Sequence, residues 1–306
     1  MRKPHPLAPG DRVRVIGISG CLHVEDVEQA AKACCDRIAE LGYAVTMDPT
    51  CTKRDGYLSG TDRERAEALM RAFADPEVDG IFCMKGGWGV NRMLPYVDFD
   101  VLRRHPKPLV GFSDITSLHL AIGRYADLCT FHGPMGTTLA NADNEVKASL
   151  VHALAGKPDP SFQTEKLAVL RPGRVCAEVV GGNLSLLASA CGTPYDMDFS
   201  GKILFIEEIG EYVYSIDRYL CQLKNAGKLD RIAGLIFGGF TNCENEYPES
   251  GFTLPEILTH YAAMIDGPVV TGLACGHIGH HLTLPLGVRY CLDTDAGTLC
   301  PLESWA

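Results

Sequence analysis

Nowhere in these 306 residues is there a C-x-x-C pair, a basic tract, a low-complexity run or an apolar stretch long enough to cross a bilayer. Each absence removes a class of function. Lysine and arginine number 28 against 38 acidic residues, a formal net charge of −10. A nucleic-acid binder needs a basic face to neutralise phosphates, so no nucleic-acid partner is expected. With no spanning segment, no membrane partner is expected either. The opening MRKPHPLAPGDRV carries basic residues but no apolar segment behind them, so no secretory signal is expected. Tryptophan is scarce, at two, yet hydrophobic residues make up 46% and charged residues 22%, as in an ordinary globular chain. The thirteen cysteines are odd in number and scattered, and several (Cys83, Cys129, Cys275, Cys291) lie within apolar runs. Free cysteine behaves there as a small hydrophobe in a reducing compartment, so thiols and a cytoplasmic location are expected.

The apolar patterning predicts alternating strands and helices, hence an α/β fold with a parallel sheet. Strand 13–18 leads through Ser19-Gly20 to a helix over 24–41 and a second strand over 43–47. The run Gly17-Ile18-Ser19-Gly20-Cys21-Leu22 misses the G-x-G-x-x-G spacing, so no dinucleotide cofactor is expected. Thr61 caps a helix over 61–74, with Arg65, Glu67 and Arg71 expected on its wet face. Strand 79–84 then opens into Lys85-Gly86-Gly87-Trp88-Gly89, where three glycines in four positions allow backbone to approach a ligand closely. The apolar run 108–111 is the next strand, followed by Ser113 and a helix. Three prolines and little periodicity mark a linker over 157–173, dividing residues 1–156 from a β-rich α/β region over 174–306. In the second half, strand 175–180 meets Gly181-Gly182, strand 202–207 ends in Glu207-Glu208, and strands over 232–237 and 268–272 follow.

Ser113 sits at a strand-to-helix turn, where open α/β sheets place their chemistry. The turn is elbow-like, but G-F-S-D-I is not G-x-S-x-G. Taken alone these residues read more readily as a helix cap. His132, in CTFHGPM, reads as a structural histidine. His277, His280 and His281 fall within five positions, but glycines 276 and 279 argue against the helix that an i,i+4 zinc pair requires, so no metal is expected. A serine hydroxyl needs a base, and that imidazole needs a carboxylate to fix its tautomer. Ser113, Glu207 or Glu208, and His277 provide those three groups, each at the end of a predicted strand.

The blocks KGGWGVNRML (85–94), GFSDIT (111–116), HGPM (132–135), GGNLSLLASACGTPY (181–195), LFIEEIGEYVYSIDRYL (204–220) and GHIGHHLTLPLG (276–287) resemble the LD-carboxypeptidase family. This muramoyltetrapeptide carboxypeptidase group of serine peptidases also contains the microcin C immunity proteins. The resemblance implies a Rossmann-like N-terminal domain, a β-rich C-terminal domain, and a cytoplasmic homodimeric hydrolase of murein peptides that needs no cofactor. It places the catalytic triad on Ser113, Glu207 and His277, and the oxyanion hole on the backbone amides of Asp114 and Gly87. Lys85 and Arg92 are candidates for the substrate carboxylate, with a surface role the default for Arg92. Lys85 stands where the family usually has Arg, which loses the bidentate fork, and the first βα turn lacks the family's A-P-S-G proline. Two rival readings are an immunity-type hydrolase of acyl-sulfamoyl nucleotides and a non-catalytic ligand-binding protein with Ser113 as a cap.

Overall fold

The computed structural model describes residues 1–157, 162, 167–245, 249 and 251–304. The first half is a sheet of β1 (Arg12–Ile16), β2 (Ala44–Met47), β3 (Gly80–Cys83), β4 (Leu109–Gly111) and β5 (Thr130–His132). Their spatial order is β2-β1-β3-β4-β5, all parallel. Helices α1 (Val27–Ala39), α2 (Asp62–Ala74), α3 (Val90–Met93), α4 (Phe99–Arg104), α5 (Thr116–Tyr125) and α6 (Asn144–Leu154) alternate with the strands. Buried Val13, Val15, Phe82 and Val110 pack on one side of the sheet and Ile16, Ile81 and Leu109 on the other. That two-sided burial explains why these strands read as continuous apolar runs rather than alternating ones. Two helix starts follow directly from sequence: the Asp26 side chain accepts from the Gln29 amide, and Thr61 with Glu64 forms a capping box.

The second sheet runs β13-β12-β7-β8-β9-β10-β6. Its strands are β6 (Ala168–Arg171), β7 (Arg174–Asn183), β8 (Ile203–Ile209), β9 (Gly234–Thr241), β10 (Val269–Thr271), β12 (Arg289–Asp293) and β13 (Thr298–Pro301). Strands β7 to β10 are parallel, and β6, β12 and β13 are antiparallel additions at the two ends. Helices α7 (Leu184–Ala190), α8 (Val213–Asn225) and α9 (Leu254–Ala262) cover it.

Two expectations about organisation change. Residues 158–161 and 163–166 of the expected linker lie outside the described residues, but 168–171 are strand, bonded antiparallel to β10. Apolar and basic residues without clear alternation become an edge strand because an existing sheet edge supplies their hydrogen bonds. The first sheet, moreover, is completed by β11 (Leu284–Leu286) from the C-terminal half, antiparallel to β5. The two halves also interlock through Thr116, whose Oγ1 accepts from the Asn183 amide at 3.0 Å. A side chain on Gly182 would stand 2.5 Å from that oxygen, so close approach requires glycine there. Among the described residues no helix is long and apolar enough to cross a membrane.

Candidate active site

The strand order reverses between β1 and β3, and open α/β sheets bind ligands at such a switch, outside the carboxyl ends of the strands. The turn after β1 and the glycine loop after β3 meet there: the Gly20 amide donates to Gly86 O at 3.2 Å. Ser113 follows the neighbouring strand β4. Its φ is +64°, a left-handed conformation that costs a non-glycine residue roughly 1–2 kcal/mol. A helix-capping serine lies in extended backbone and accepts from an amide two or three residues on. Neither the short 3-10 turn at Ser113–Ile115 nor α5 has any side-chain cap. The capping reading is therefore corrected: this turn holds a strained serine that does no capping. Strain of this kind persists where surrounding structure imposes it, and here Gly86 is pressed against the serine. A Cβ on Gly86 would lie 3.0 Å from Ser113 Cβ and 3.2 Å from its Oγ. Gly87, the expected oxyanion donor, is the next residue and packs over Gly20 at φ +121°.

The second sheet presents Glu207 and His277 to the same region. His277 Nδ1 lies 2.7 Å from Glu207 Oε2, and the His277 amide donates to that oxygen at 3.2 Å. Glu207 is fully buried. Burial pushes its carboxyl up, but His132 and His277 outweigh that and hold it down at about 2. A carboxylate so placed keeps the Nδ1 proton on His277 and leaves Nε2 free to accept another. Glu208 is excluded from this role by strand geometry, since consecutive strand residues point to opposite faces. Its carboxylate instead accepts from Asn183 Nδ2 (2.6 Å) and the amides of Ser185 and Ile209 (2.8 Å each), at the start of α7.

Gly276 explains the glycine before His277. With φ +115°, a Cβ there would sit 2.7 Å from Glu207 Oε2. Gly276→Ala is expected to push the carboxylate off the imidazole. Misplacement by about an ångström costs on the order of 10²-fold in rate, so kcat of any reaction that uses this imidazole should fall by that order with KM little changed, as steady-state kinetics will read.

His132 ends β5, its Nε2 3.9 Å from Glu207 Oε1 on the far side of the carboxylate. Its Nδ1 is 3.3 Å from His281 Nε2. Burial first, then His132, holds His281 well below the ordinary histidine range. The Phe112 ring packs on His277 and His281 at centroid separations of 4.8 and 4.5 Å. These neighbours of the Glu207–His277 pair were not legible as such. The available signal was only that His132 and Phe112 lie at or beside strand ends. His280 turns outward to Asp143, and among the described residues no group of three or more His, Cys, Asp or Glu is arranged to hold a metal.

The amide of Asp114 lies in the first turn after Ser113, where amides have no intrahelical partner. Its side chain does something sequence alone did not reveal: Oδ2 accepts from Ser19 Oγ (2.5 Å) and the Val90 amide (3.0 Å). Arg65, expected on the wet face of its helix, is instead fully buried, because its guanidinium donates to the Gly89 carbonyl at 2.8 Å and to Ile18 O at 2.9 Å. The Gly89–Val90 peptide is thus held at both ends, which sets the orientation of the glycine loop. Arg92 binds Asp62 Oδ2 through Nε (3.2 Å) and Nη2 (3.1 Å) on the surface, its default role. Lys85 Nζ reaches Cys21 O at 3.3 Å. A cavity of about 350 Å³ opens beside His277, lined by Phe112, Pro134, Thr138, Asn141, His277 and His281 among others. Neither Lys85 nor Arg92 lines it.

A strained serine between strand and helix, and an imidazole anchored on a buried carboxylate and packed on the ring of the residue before that serine, are groups of the serine-hydrolase kind. Residues 13–133 match the model of the LD-carboxypeptidase N-terminal domain and 177–292 that of the C-terminal domain. The chain belongs to the LD-carboxypeptidase family. A Bacillus subtilis protein named as a probable murein peptide carboxypeptidase is 38% identical over 97% of this chain and 93% of its own length. The Escherichia coli microcin C7 self-immunity protein is 28% identical over 98% of this chain and 95% of that protein. The crystal structure of a muramoyltetrapeptide carboxypeptidase from Oxalobacter formigenes superposes with a TM-score of 0.81 at 28% identity, covering 94% of this chain and 97% of that one. The α/β expectation, with a parallel N-terminal sheet and a second β-rich unit, agrees with this fold.

Proposed function

We propose that this protein is a serine-type LD-carboxypeptidase that releases the terminal D-alanine from murein tetrapeptide. The observation that carries the reading is the 2.7 Å contact between His277 Nδ1 and buried Glu207. It leaves Nε2 as a base on the ring that packs against Phe112, the residue before Ser113. In this mechanism Ser113 Oγ attacks the carbonyl joining an L-centre to D-alanine, and His277 takes the hydroxyl proton. The oxyanion is held by the backbone amides of Asp114 and, from the glycine loop, Gly87. His277 then returns its proton to the leaving amine, and water enters by the same route to release the acyl group. Glu207 keeps the ring in one tautomer and stabilises its positive charge. No step calls for a metal or an organic cofactor. Lys85 is the candidate for the substrate carboxylate, and a cytoplasmic homodimer is part of the same proposal.

The test is incubation of the purified protein with a murein tetrapeptide and, separately, with an acyl-sulfamoyl nucleoside. Mass spectrometry is expected to find free D-alanine and tripeptide with turnover far above that of the nucleoside. No release from the tetrapeptide, or faster cleavage of the nucleoside, overturns the reading.

A further inference from the structure

Three cysteines stand side by side across three strands of the second sheet. Cys291 on β12 pairs in register with Cys176 on β7 and with Cys300 on β13. They share the face that carries Arg174, Arg289 and Asp293, while Val175, Ala177, Tyr290 and Leu292 turn to the core on the other side. Pairing type separates the two neighbours of Cys291. Val179 donates to Val288 O at 2.9 Å, so Val179/Val288 is a hydrogen-bonded pair. Pairs alternate along an antiparallel ladder, which makes Cys176/Cys291, three pairs on, a non-hydrogen-bonded one. Such pairs bring their Cα atoms to about 4.5 Å, inside the roughly 4.4–6.8 Å range that a disulfide spans. On the other side Leu302 donates to Arg289 O at 2.9 Å, so Cys291/Cys300 falls on the hydrogen-bonded pairing, whose Cα separation of about 5.5 Å also lies within that range. The sulfurs decide between the two neighbours: Cys176 Sγ lies 2.7 Å from Cys291 Sγ, and Arg174 Nε donates to Cys291 Sγ at 3.5 Å.

We propose that Cys176 and Cys291 are an oxidation site, a dithiol that hydrogen peroxide converts to a reversible cross-strand disulfide. Burial raises the Cys291 thiol, but the Cys176 hydrogen bond and Arg174 outweigh it and hold the group below its ordinary value. Burial instead pushes Cys51 and Cys83 up, and Cys129 to about 12, which leaves those thiols inert. In the first step the Cys291 thiolate attacks one peroxide oxygen. The S–O bond forms, the O–O bond breaks, and the departing hydroxide takes a proton to become water. The Cys176 sulfur then attacks the Cys291 sulfenic acid; the S–S bond forms, the S–O bond breaks, and a second water leaves with the Cys176 proton. Two thiols have lost two electrons and two protons to one peroxide.

The test treats the folded wild-type protein with hydrogen peroxide, caps free thiols with an alkylating agent and maps tryptic peptides. Cleavage after Arg174, Lys202 and Arg289 puts Cys176 in peptide 175–202 and Cys291 in peptide 290–306. The expected product is these two peptides joined, lighter by two hydrogens than their sum and separated again by dithiothreitol. Each peptide holds a second cysteine, Cys191 and Cys300, so variants assign the bond. Cys191→Ser and Cys300→Ser should keep the linked product, whereas Cys176→Ser and Cys291→Ser should lose it, and Cys176→Ser, at an exposed position, should do so at the wild-type melting temperature. No linked product, a link that survives Cys176→Ser, or a Cys291–Cys300 loop within one peptide overturns the proposal.

Discussion

Ser113→Ala is expected to lower kcat for D-alanine release by on the order of 10⁶-fold, the scale lost when a nucleophile is removed from a triad that works as a unit. Substrate binding and folding should survive, because the hydroxyl caps no helix. Ser113→Gly makes the sharper experiment. It loses the same activity but relieves the backbone held at φ +64°. Relief of about 1–2 kcal/mol is set against the extra freedom of glycine in the unfolded chain, roughly 0.5–1 kcal/mol. The glycine variant should therefore be more stable than wild type by about 1 kcal/mol in urea denaturation. Inactive and stabilised together mark a residue whose conformation serves chemistry. Alanine and glycine variants that both still turn over substrate sink the assignment of the nucleophile.

Glu207→Gln is expected to reduce kcat about 10⁴-fold with little change in overall structure. The amide keeps the shape of the carboxylate but can offer an N–H to His277 Nδ1. The ring then carries its proton on Nε2 and no longer accepts one from Ser113. The same residue governs acid stability. Its carboxyl is held at about 2 in the fold, below its ordinary 4.5. A depressed carboxyl stabilises the folded state above its unfolded pKa, and that contribution drains away as pH falls through the folded value. Wild type should lose melting temperature between about pH 4.5 and 2 more steeply than Glu207→Gln does, as calorimetry across that range will show. Parallel profiles would mean that Glu207 is not held ionised by His277 and His132.

Much of this was legible in one dimension. Apolar runs separated by helical periodicity predicted the parallel strands, and Thr61 marked a helix start that the structure keeps. Glycines 86, 87 and 89 marked a close approach of backbone before any neighbour was known, whereas Gly181 stood only for a turn and Gly276 for a break in helix. Boundaries were less legible. The run 232–237 extends through Gly238-Gly239 to Thr241 as β9, because pairing with β8 supplies the hydrogen bonds that glycine's weak strand preference discourages.

The sequence by itself determined the alternation of strands and helices, the glycine-rich turns and the chemical kinds of group at strand ends, since these follow from local period and backbone freedom. Tertiary structure alone decided which of two adjacent acids faces an imidazole 70 residues away, because that depends on which face of β8 looks toward the first sheet. It also decided the left-handed turn at Ser113, the Asp114 and Arg65 grip on one peptide, and the Cys176–Cys291 pairing. Each is a contact between distant segments, and no local pattern carries the register that brings them together.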